Sequence, residues 1–237
     1  MATRKTNFAV GEFYHIYNRG NSKQNIFLDN QDYDRFIKLL YLCNSNKNIS
    51  FREDIVEKKI DAFDFDRGEQ VVSVGAWVLM PNHFHLYLTV SQRSFLGEEG
   101  ISVFMKKLCT AYSMYFNKKY KRSGSLFEGK FKSVHVGDDQ YAKYIFSYIH
   151  LNPIKLIDSK WRENGIKDHK ITSGFLKTYY WSSYLDYKGI KRSENKITSQ
   201  KDFPDYFSNT EDFDNEIVYW LTFDPKGLSS GNPGEIL

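Results

Sequence analysis

Residues 71–90 read VVSVGAWVLMPNHFHLYLTV, and this segment predicts the central hairpin of the protein. Its first half is rich in valine, and Trp77 adds another residue that strands favour. After Pro81 and Asn82, the run from His83 to Val90 alternates polar and apolar side chains, as a strand with two different faces does. Two strand-like runs separated by a short turn predict an antiparallel pair. We therefore expect this hairpin to lie at the centre of a sheet.

Three other segments carry apolar residues at the spacing of an amphipathic helix. The first follows Asp29, a residue that can cap a helix, and the second begins at Ile101 and ends near Ser123. The third opens at Asp138 and stops at Asn152, because the proline that follows disfavours helical geometry in the residue before it. We expect each helix to pack its apolar face against the sheet.

Two further strands complete the pattern, one at Phe13 to Arg19 and one at Phe131 to Val136. The predicted order is therefore βαββαβ followed by one additional helix. This is the order of an α+β fold with a ferredoxin-like, split-βαβ antiparallel sheet. Two helices cover one face of such a sheet, and we expect the additional C-terminal helix to cover the other.

The chain of 237 residues suits one domain with an extension, or two small domains. We assign residues 1–190 to the main domain, within which the polar and charged residues 44–67 form an inserted excursion. Residues 191–237 form a small C-terminal extension in which acids outnumber bases. Within it we expect a short helix at 211–223 and a frayed tail, rich in glycine and proline, at 225–237.

Composition excludes several classes of protein. Hydrophobic residues make up 41% and charged residues 26% of the chain, so a disordered or fibrous protein is excluded. No apolar run approaches the roughly 20 residues that span a bilayer, and the polar, basic residues 1–8 do not read as a signal peptide. The two cysteines, Cys43 and Cys109, fall in predicted helices and suit buried thiols. We expect a cytoplasmic protein that makes no contact with a membrane.

Positive charge is concentrated in one segment. Residues 101–136 contain eight Lys or Arg residues against the single acid Glu128, and aromatic residues are interleaved with them. Cations that follow phosphates and rings that offer stacking surfaces are typical of nucleic-acid binding. A solvated, lysine-rich helix end is the alternative, and charge alone does not separate the two.

The second strand of the hairpin carries a candidate metal site. Alternation places His83 and His85 on the face opposite to that of Phe84 and Leu86. Residues i and i+2 lie roughly 6.6 Å apart on a strand, so both imidazoles can converge on one ion and leave positions open for substrate. The alternative is a pair of ordinary strand histidines.

The third helix adds candidates at matching spacing. Tyr148 and Asn152 are four residues apart and therefore share one face of the helix. The Asn152 amide oxygen is a reasonable third ligand for a hard ion, and the Tyr148 hydroxyl would then lie near a bound phosphate. Asn152 could instead simply end the helix, and Tyr148 could continue the core stripe of Tyr141 and Tyr144. Tyr144 is also a rival nucleophile.

Five blocks of sequence carry a resemblance to a known family. They are YHIYNRGN at 14–21, AWVLMPNHFHLYL at 76–88, RSGSLFEGKFKS at 122–133, YIHLNPIK at 148–155 and WSSY at 181–184. Together and in this order they resemble the REP-associated tyrosine transposases (RAYTs), members of the single-tyrosine HUH transposase superfamily. Residues 44–67 and those after Tyr187 have no clear counterpart in that family.

The resemblance implies a function and a site. Its members are metal-dependent single-stranded DNA endonucleases and strand transferases that act at hairpin-forming repeats. The motifs would assign Mg²⁺ or Mn²⁺ to His83, His85 and Asn152, and would make Tyr148 the nucleophile that becomes linked to a 5′ phosphate while a 3′ hydroxyl is freed. The implied partner is single-stranded or hairpin DNA, and both a monomer and a homodimer are compatible with the superfamily.

Residues for DNA contact and alternative functions are less sharply defined. The best candidates for phosphate contact are Arg19, Arg122, Lys130 and Lys132, although each is equally compatible with ordinary surface charge. His15, His135 and His150 have no like partner at metal-binding spacing, so we read them as structural or incidental.

A catalytically silent DNA-hairpin binder is the main alternative to an active transposase. An RNA-binding ferredoxin-like domain is disfavoured, since aromatic residues are absent from the expected positions of its central strands.

Overall fold

The computed structural model describes residues 7–90, 96–166, 168–205 and 209–222. Its centre is a four-stranded antiparallel sheet with the strand order β2-β3-β1-β4. The strands are β1 (Phe13–Arg19), β2 (Val72–Met80), β3 (His83–Val90) and β4 (Lys132–Val136). The sheet and its strand order confirm the predicted α+β, ferredoxin-like fold.

The register of the sheet places polar residues side by side on one face. Tyr17 of β1 lies opposite His85 of β3, and Arg19 lies opposite His83. On the other edge of β1, Tyr17 lies opposite Lys132 of β4. Because directly opposed residues share a face, these five side chains belong to the same side of the sheet.

The opposite face is covered by two helices. These are α1 (Asn30–Cys43) and α2 (Gly100–Lys119). Phe84 and Leu86 of β3 are fully buried beneath them, in one hydrophobic core with Phe36 of α1. Asp29 caps α1, as predicted, by accepting a 3.1 Å hydrogen bond from the backbone N–H of Asp32.

Helix α3 (Asp139–Leu151) covers the face that carries the two histidines, as predicted. Asp138 caps it by accepting a 2.8 Å hydrogen bond from the Tyr141 N–H. Ile145 and Ile149 of α3 are buried in a second core with Val78 of β2. These apolar contacts hold α3 against the sheet by burial of nonpolar surface.

Part of the chain after α3 runs along the β2 edge of the sheet. In the described part of this region the helices are α4 (Trp161–Asn164), α5 (His169–Thr178), α6 (Tyr184–Tyr187) and α7 (Thr210–Thr222). The backbone N–H of Leu79 donates to the Trp181 carbonyl at 2.9 Å, and that of Ser183 donates to the Trp77 carbonyl at 2.9 Å. The WSSY segment therefore pairs with the outer strand β2 and satisfies backbone groups that an open edge would expose.

The predicted excursion and extension contain some ordered structure. Within 44–67 there is one π-helical turn, Phe51–Val56, and one 3₁₀ turn, Ala62–Asp64. Helix α7 agrees with the helix expected in the extension, whereas the predicted frayed tail lies outside the described residues. The domain limits themselves stay a prediction. In the described ranges, no helix is both long and apolar enough to cross a membrane.

Candidate active site

The two strand histidines lie next to each other beneath α3. Their ring centroids are 5.0 Å apart and the ring planes are nearly perpendicular, at 86°. His85 is fully buried, whereas His83 at the end of the strand is half-buried. The alternation predicted from the sequence thus places both imidazoles on one face, with one of them open to solvent on one side.

Helix α3 brings Tyr148 against this pair. The ring centroids of Tyr148 and His85 are 5.4 Å apart, with the planes at 81°, although the two residues are more than sixty positions apart in sequence. The Tyr148 side chain is buried, with 7% of the residue exposed. Tyr144, the rival nucleophile, stacks on Tyr148 at 6.0 Å and on Tyr141 at 6.2 Å, further towards the N-terminus of the helix.

Asn152 provides a buried amide one turn beyond Tyr148. Its backbone angles are helical (φ −54°, ψ −38°), so the two residues share one face of the helix. The Asn152 side chain is fully buried, and within the described ranges neither its oxygen nor its nitrogen has a hydrogen-bond partner. Buried amides are normally satisfied, and an amide oxygen in this state suits a cation ligand.

The donor set fits a hard divalent cation with open positions. Among the described residues, no group of three or more His, Cys, Asp and Glu side chains could hold a metal ion. The candidate site of the sequence analysis combines two imidazoles, those of His83 and His85, with an amide, that of Asn152, which is a different kind of donor set. Three neutral ligands leave several coordination positions for water or phosphate oxygen.

His15 is a member of this cluster that no sequence pattern indicated. It is fully buried on β1, and its Nε2 shares a 2.9 Å hydrogen bond with Nδ1 of His85. Its ring centroid is 6.0 Å from that of Tyr148. Burial lowers the pKa of His15 to about 3, so its imidazole is neutral at physiological pH. The sequence indicated a structural or incidental role for His15, and its burial agrees with the structural one. Its bond to His85 could not be predicted, because the two residues are 70 positions apart and only strand pairing joins them.

The other two histidines have structural or surface roles. His150 is fully buried, with Nδ1 2.9 Å from the Phe146 carbonyl oxygen and Nε2 2.8 Å from Ser183 Oγ. The Nε2 contact fastens α3 to the WSSY segment, whereas the Nδ1 contact stays within α3. His135 lies at the surface, where its Nε2 is 2.5 Å from a Glu12 carboxylate oxygen.

The predicted phosphate-contact residues differ in their surroundings. Lys132 is exposed and lies on the same sheet face as His85, and Lys130 is exposed in the loop before β4. Arg19 forms a two-point ion pair with Glu128, in which Nη2 donates to Oε1 at 2.9 Å and Nε donates to Oε2. That hydrogen bonding holds the pKa of the Glu128 carboxyl below its usual range. Arg122 donates to Gln24 Oε1 at 3.3 Å and to the Ser125 carbonyl at 3.4 Å, so it braces a loop.

Comparison with protein families identifies the region that contains this site. The family model described as "Transposase IS200 like" matches residues 13–152. The chain belongs to the IS200-like transposase family. The match begins with β1 and ends at Asn152, so it includes His15, both strand histidines and Tyr148. Membership confirms, at the level of the family, the resemblance found in the sequence motifs.

Two solved structures are similar to this transposase. One is a REP-associated tyrosine transposase bound to a REP hairpin, with 13% identity over 82% of this chain and 90% of that chain and a TM-score of 0.43. The other is a protein of Deinococcus radiodurans R1 described as a candidate transposase, with 15% identity over 61% of this chain and 92% of that chain and a TM-score of 0.32. No curated protein matches the chain.

Proposed function

We propose that this transposase is a metal-dependent single-stranded DNA endonuclease and strand transferase of the REP-associated type, which acts at hairpin-forming repeats. The observation that carries the proposal is the contact between the Tyr148 ring and His85, with the buried Asn152 amide one turn further along α3. A phenol can serve as the nucleophile in phosphoryl transfer, and two imidazoles and an amide can hold the cation that assists it.

In this proposal Mg²⁺ or Mn²⁺ is held by His83, His85 and the oxygen of Asn152. When bound, the cation would neutralise charge that develops on the scissile phosphate. The half-buried His83 marks the side from which a phosphate can approach, because His85 and Asn152 are fully buried.

Tyr148 supplies the nucleophile. A phenol with a pKa of about 10 is ionised to only ~0.1% at pH 7, which corresponds to about 4 kcal/mol for complete deprotonation. In the proposed step the Tyr148 hydroxyl loses its proton to water as its oxygen forms a bond to phosphorus. The bond from phosphorus to the 3′ oxygen breaks, and that oxygen takes up a proton from water. The products are a 5′-phosphotyrosine and a free 3′ hydroxyl. Attack by a 3′ hydroxyl on the phosphotyrosine reverses the step and rejoins a strand, so no external energy source is needed.

Single-stranded or hairpin DNA is the proposed partner. Lys132 and Lys130 are exposed on and beside the face that carries the histidines, so they can contact phosphates of a bound DNA strand. Arg19 would have to leave Glu128 to do the same. Tyr148 and His85 come from one chain, so a monomer can form the proposed site, and a homodimer is not required.

The experiment is a covalent-trapping assay. Protein is incubated with Mn²⁺ and end-labelled DNA hairpins that carry single-stranded flanks, and a denaturation-resistant adduct is measured on gels. We expect an adduct with the wild-type protein and with Tyr144→Phe, and none with Tyr148→Phe. An adduct formed by Tyr148→Phe would reject Tyr148 as the nucleophile. Tight hairpin binding without any adduct would favour the catalytically silent binder.

A further inference from the structure

Both strand histidines are bonded through Nδ1 to another side chain, His83 to Asn82 and His85 to His15. We propose that Asn82 and His15 are positioning residues, which set the tautomers of His83 and His85 so that both rings present the Nε2 lone pair to one cation. This inference rests on the proposed metal-dependent function. It concerns the hydrogen bonds behind the ligands rather than the ligands themselves.

The Asn82 contact permits only one tautomer of a neutral His83. Asn82 Nδ2 donates to the Lys23 carbonyl at 3.3 Å, so the opposite end of the amide, Oδ1, faces His83. This oxygen lies 2.6 Å from His83 Nδ1. An amide oxygen can only accept a hydrogen bond, so His83 Nδ1 must carry the proton. The lone pair of the neutral ring is then on Nε2, the form in which histidine binds a metal.

The contact between His15 and His85 permits two arrangements. If His15 Nε2 donates, the proton of a neutral His85 lies on Nε2, and His85 cannot act as a ligand through that atom. If His85 Nδ1 donates, the Nε2 lone pair of His85 is available for the cation. His15 is therefore the acceptor that the ligand form of His85 requires, and both residues are fully buried, so solvent does not readily replace it.

A second observation indicates when this arrangement is selected. His15 Nδ1 is buried, and within the described ranges it has no hydrogen-bond partner. When His85 donates, His15 carries its proton on this nitrogen, and a buried donor is left unsatisfied. In the other arrangement His85 carries its proton on Nε2, which is also buried. Only the arrangement in which His85 donates leaves Nε2 free to bind a cation, so we expect Mg²⁺ to fix the shared proton on Nδ1 of His85.

Two readouts test the proposal without relying on DNA cleavage. The first is ¹⁵N NMR of histidine-labelled full-length protein with and without saturating Mg²⁺, with signals assigned from His83→Ala and His85→Ala. The second is the Kd for Mn²⁺ from the EPR signal of the free ion. The variants are His15→Phe, which removes the acceptor, and His15→Gln, whose amide oxygen can replace Nε2. Asn82→Ala is compared with Asn25→Ala, which alters an exposed asparagine of the neighbouring loop.

We expect the proton of both ligand histidines on Nδ1 in the Mg²⁺ form. The Kd for Mn²⁺ should rise ten- to a hundred-fold in His15→Phe and Asn82→Ala, as is typical when a partner behind a metal ligand is lost. It should stay within about threefold of the wild-type value in His15→Gln and Asn25→Ala.

The outcomes separate this inference from the proposed function. If wild-type protein binds Mn²⁺ no better than His83→Ala, the metal-dependent function fails, and this inference fails with it. If the wild type binds but His85 carries its proton on Nε2 in the Mg²⁺ form, only the positioning role is rejected. Equal Mn²⁺ affinity of folded His15→Phe and wild type rejects it as well. If His15→Phe does not fold, the wild-type NMR spectrum still tests the tautomer of His85. The Kd of His15→Gln for Mn²⁺ then tests whether an acceptor at position 15 is sufficient.

Discussion

The Tyr148 ring meets the His85 ring almost edge-on, at 81° and 5.4 Å between centroids. This contact brings Tyr148 of α3, the candidate nucleophile, against His85 of β3, a candidate metal ligand. The phenol is buried, but it lies against an imidazole rather than only among hydrocarbon side chains. The contact is consistent with the proposed roles of Tyr148 and His85.

Asn152→Leu should separate stability from activity. An amide without hydrogen bonds in a buried site destabilises the metal-free protein, so an apolar residue of similar volume should raise the free energy of unfolding by about 1 kcal/mol. DNA cleavage should fall below detection in the same variant. Urea unfolding and the trapping assay measure the two effects.

The matched control for Asn152→Leu is Asn44→Leu. Asn44 is equally buried, but its amide donates to the Val72 carbonyl at 2.8 Å and accepts from the N–H groups of Val71 and Val72 at 2.9 and 3.0 Å. We expect Asn44→Leu to lower the free energy of unfolding by about 2–4 kcal/mol, since several buried groups become unpaired. A comparable loss in both variants would argue that Asn152 has only a structural role.

Ser183→Ala should loosen the connection between α3 and the sheet. Ser183 Oγ accepts from the Trp77 N–H at 2.9 Å and lies 2.8 Å from His150 Nε2, so alanine leaves buried polar groups unpaired. We expect a loss of about 1–3 kcal/mol in the free energy of unfolding. Ser147→Ala is the control, because Ser147 Oγ is buried and has no hydrogen-bond partner among the described residues. That control should change stability by less than about 0.5 kcal/mol, and an equal loss in both variants would contradict this assignment.

Acid should destabilise the protein through its two fully buried neutral histidines. Burial lowers the pKa of His15 and of His150 to about 3, below the unfolded value near 6.5. Between these two pKa values the unfolded chain binds more protons than the folded protein does. The contribution of the neutral histidines to the free energy of unfolding is therefore complete above pH 6.5 and is lost as the pH falls towards 3. Each histidine should lower the free energy of unfolding by about 2 kcal/mol as the pH falls from 7.5 to 5.

Urea unfolding at a series of pH values measures this dependence. His135→Gln should leave the curve unchanged, because His135 is exposed at the surface. A free energy of unfolding that stays constant between pH 7.5 and pH 5 would be incompatible with two buried neutral imidazoles.

Lys132→Ala should weaken DNA binding in a salt-dependent way. Loss of one phosphate contact should reduce the slope of log K against log salt concentration by about 0.7–0.9. Lys58→Ala is a control outside the sheet face, since Lys58 is paired with Asp54 in the inserted excursion. Fluorescence anisotropy with a labelled hairpin at several salt concentrations measures both slopes. Identical slopes for Lys132→Ala and wild type would remove Lys132 from the DNA interface.

The arrangement of the candidate residues within each element was predictable from local pattern. Strand side chains alternate, so the spacing of His83 and His85 was enough to place them on one face, as β3 confirms. The spacing of Tyr148 and Asn152 was likewise sufficient, because helical geometry continues through Asn152. The roles of these residues in catalysis stay predictions.

Partners that are far apart in the chain were not predictable. Glu128 neutralises Arg19 across 109 residues, and nothing in either local segment indicates this ion pair. The hydrogen bond between His15 and His85 depends on the pairing of β1 with β3 and on burial beneath α3.

Backbone geometry repeats within a few residues. The periodicity of the sequence was therefore sufficient to predict the order of strands and helices, the face on which each candidate residue lies, and the position of helix α3. Side-chain hydrogen bonds between strands depend on register and on the exclusion of water, which arise only when distant segments pack together. The hydrogen-bonding partner of His85 and the pairing of Arg19 therefore became known only from the folded protein.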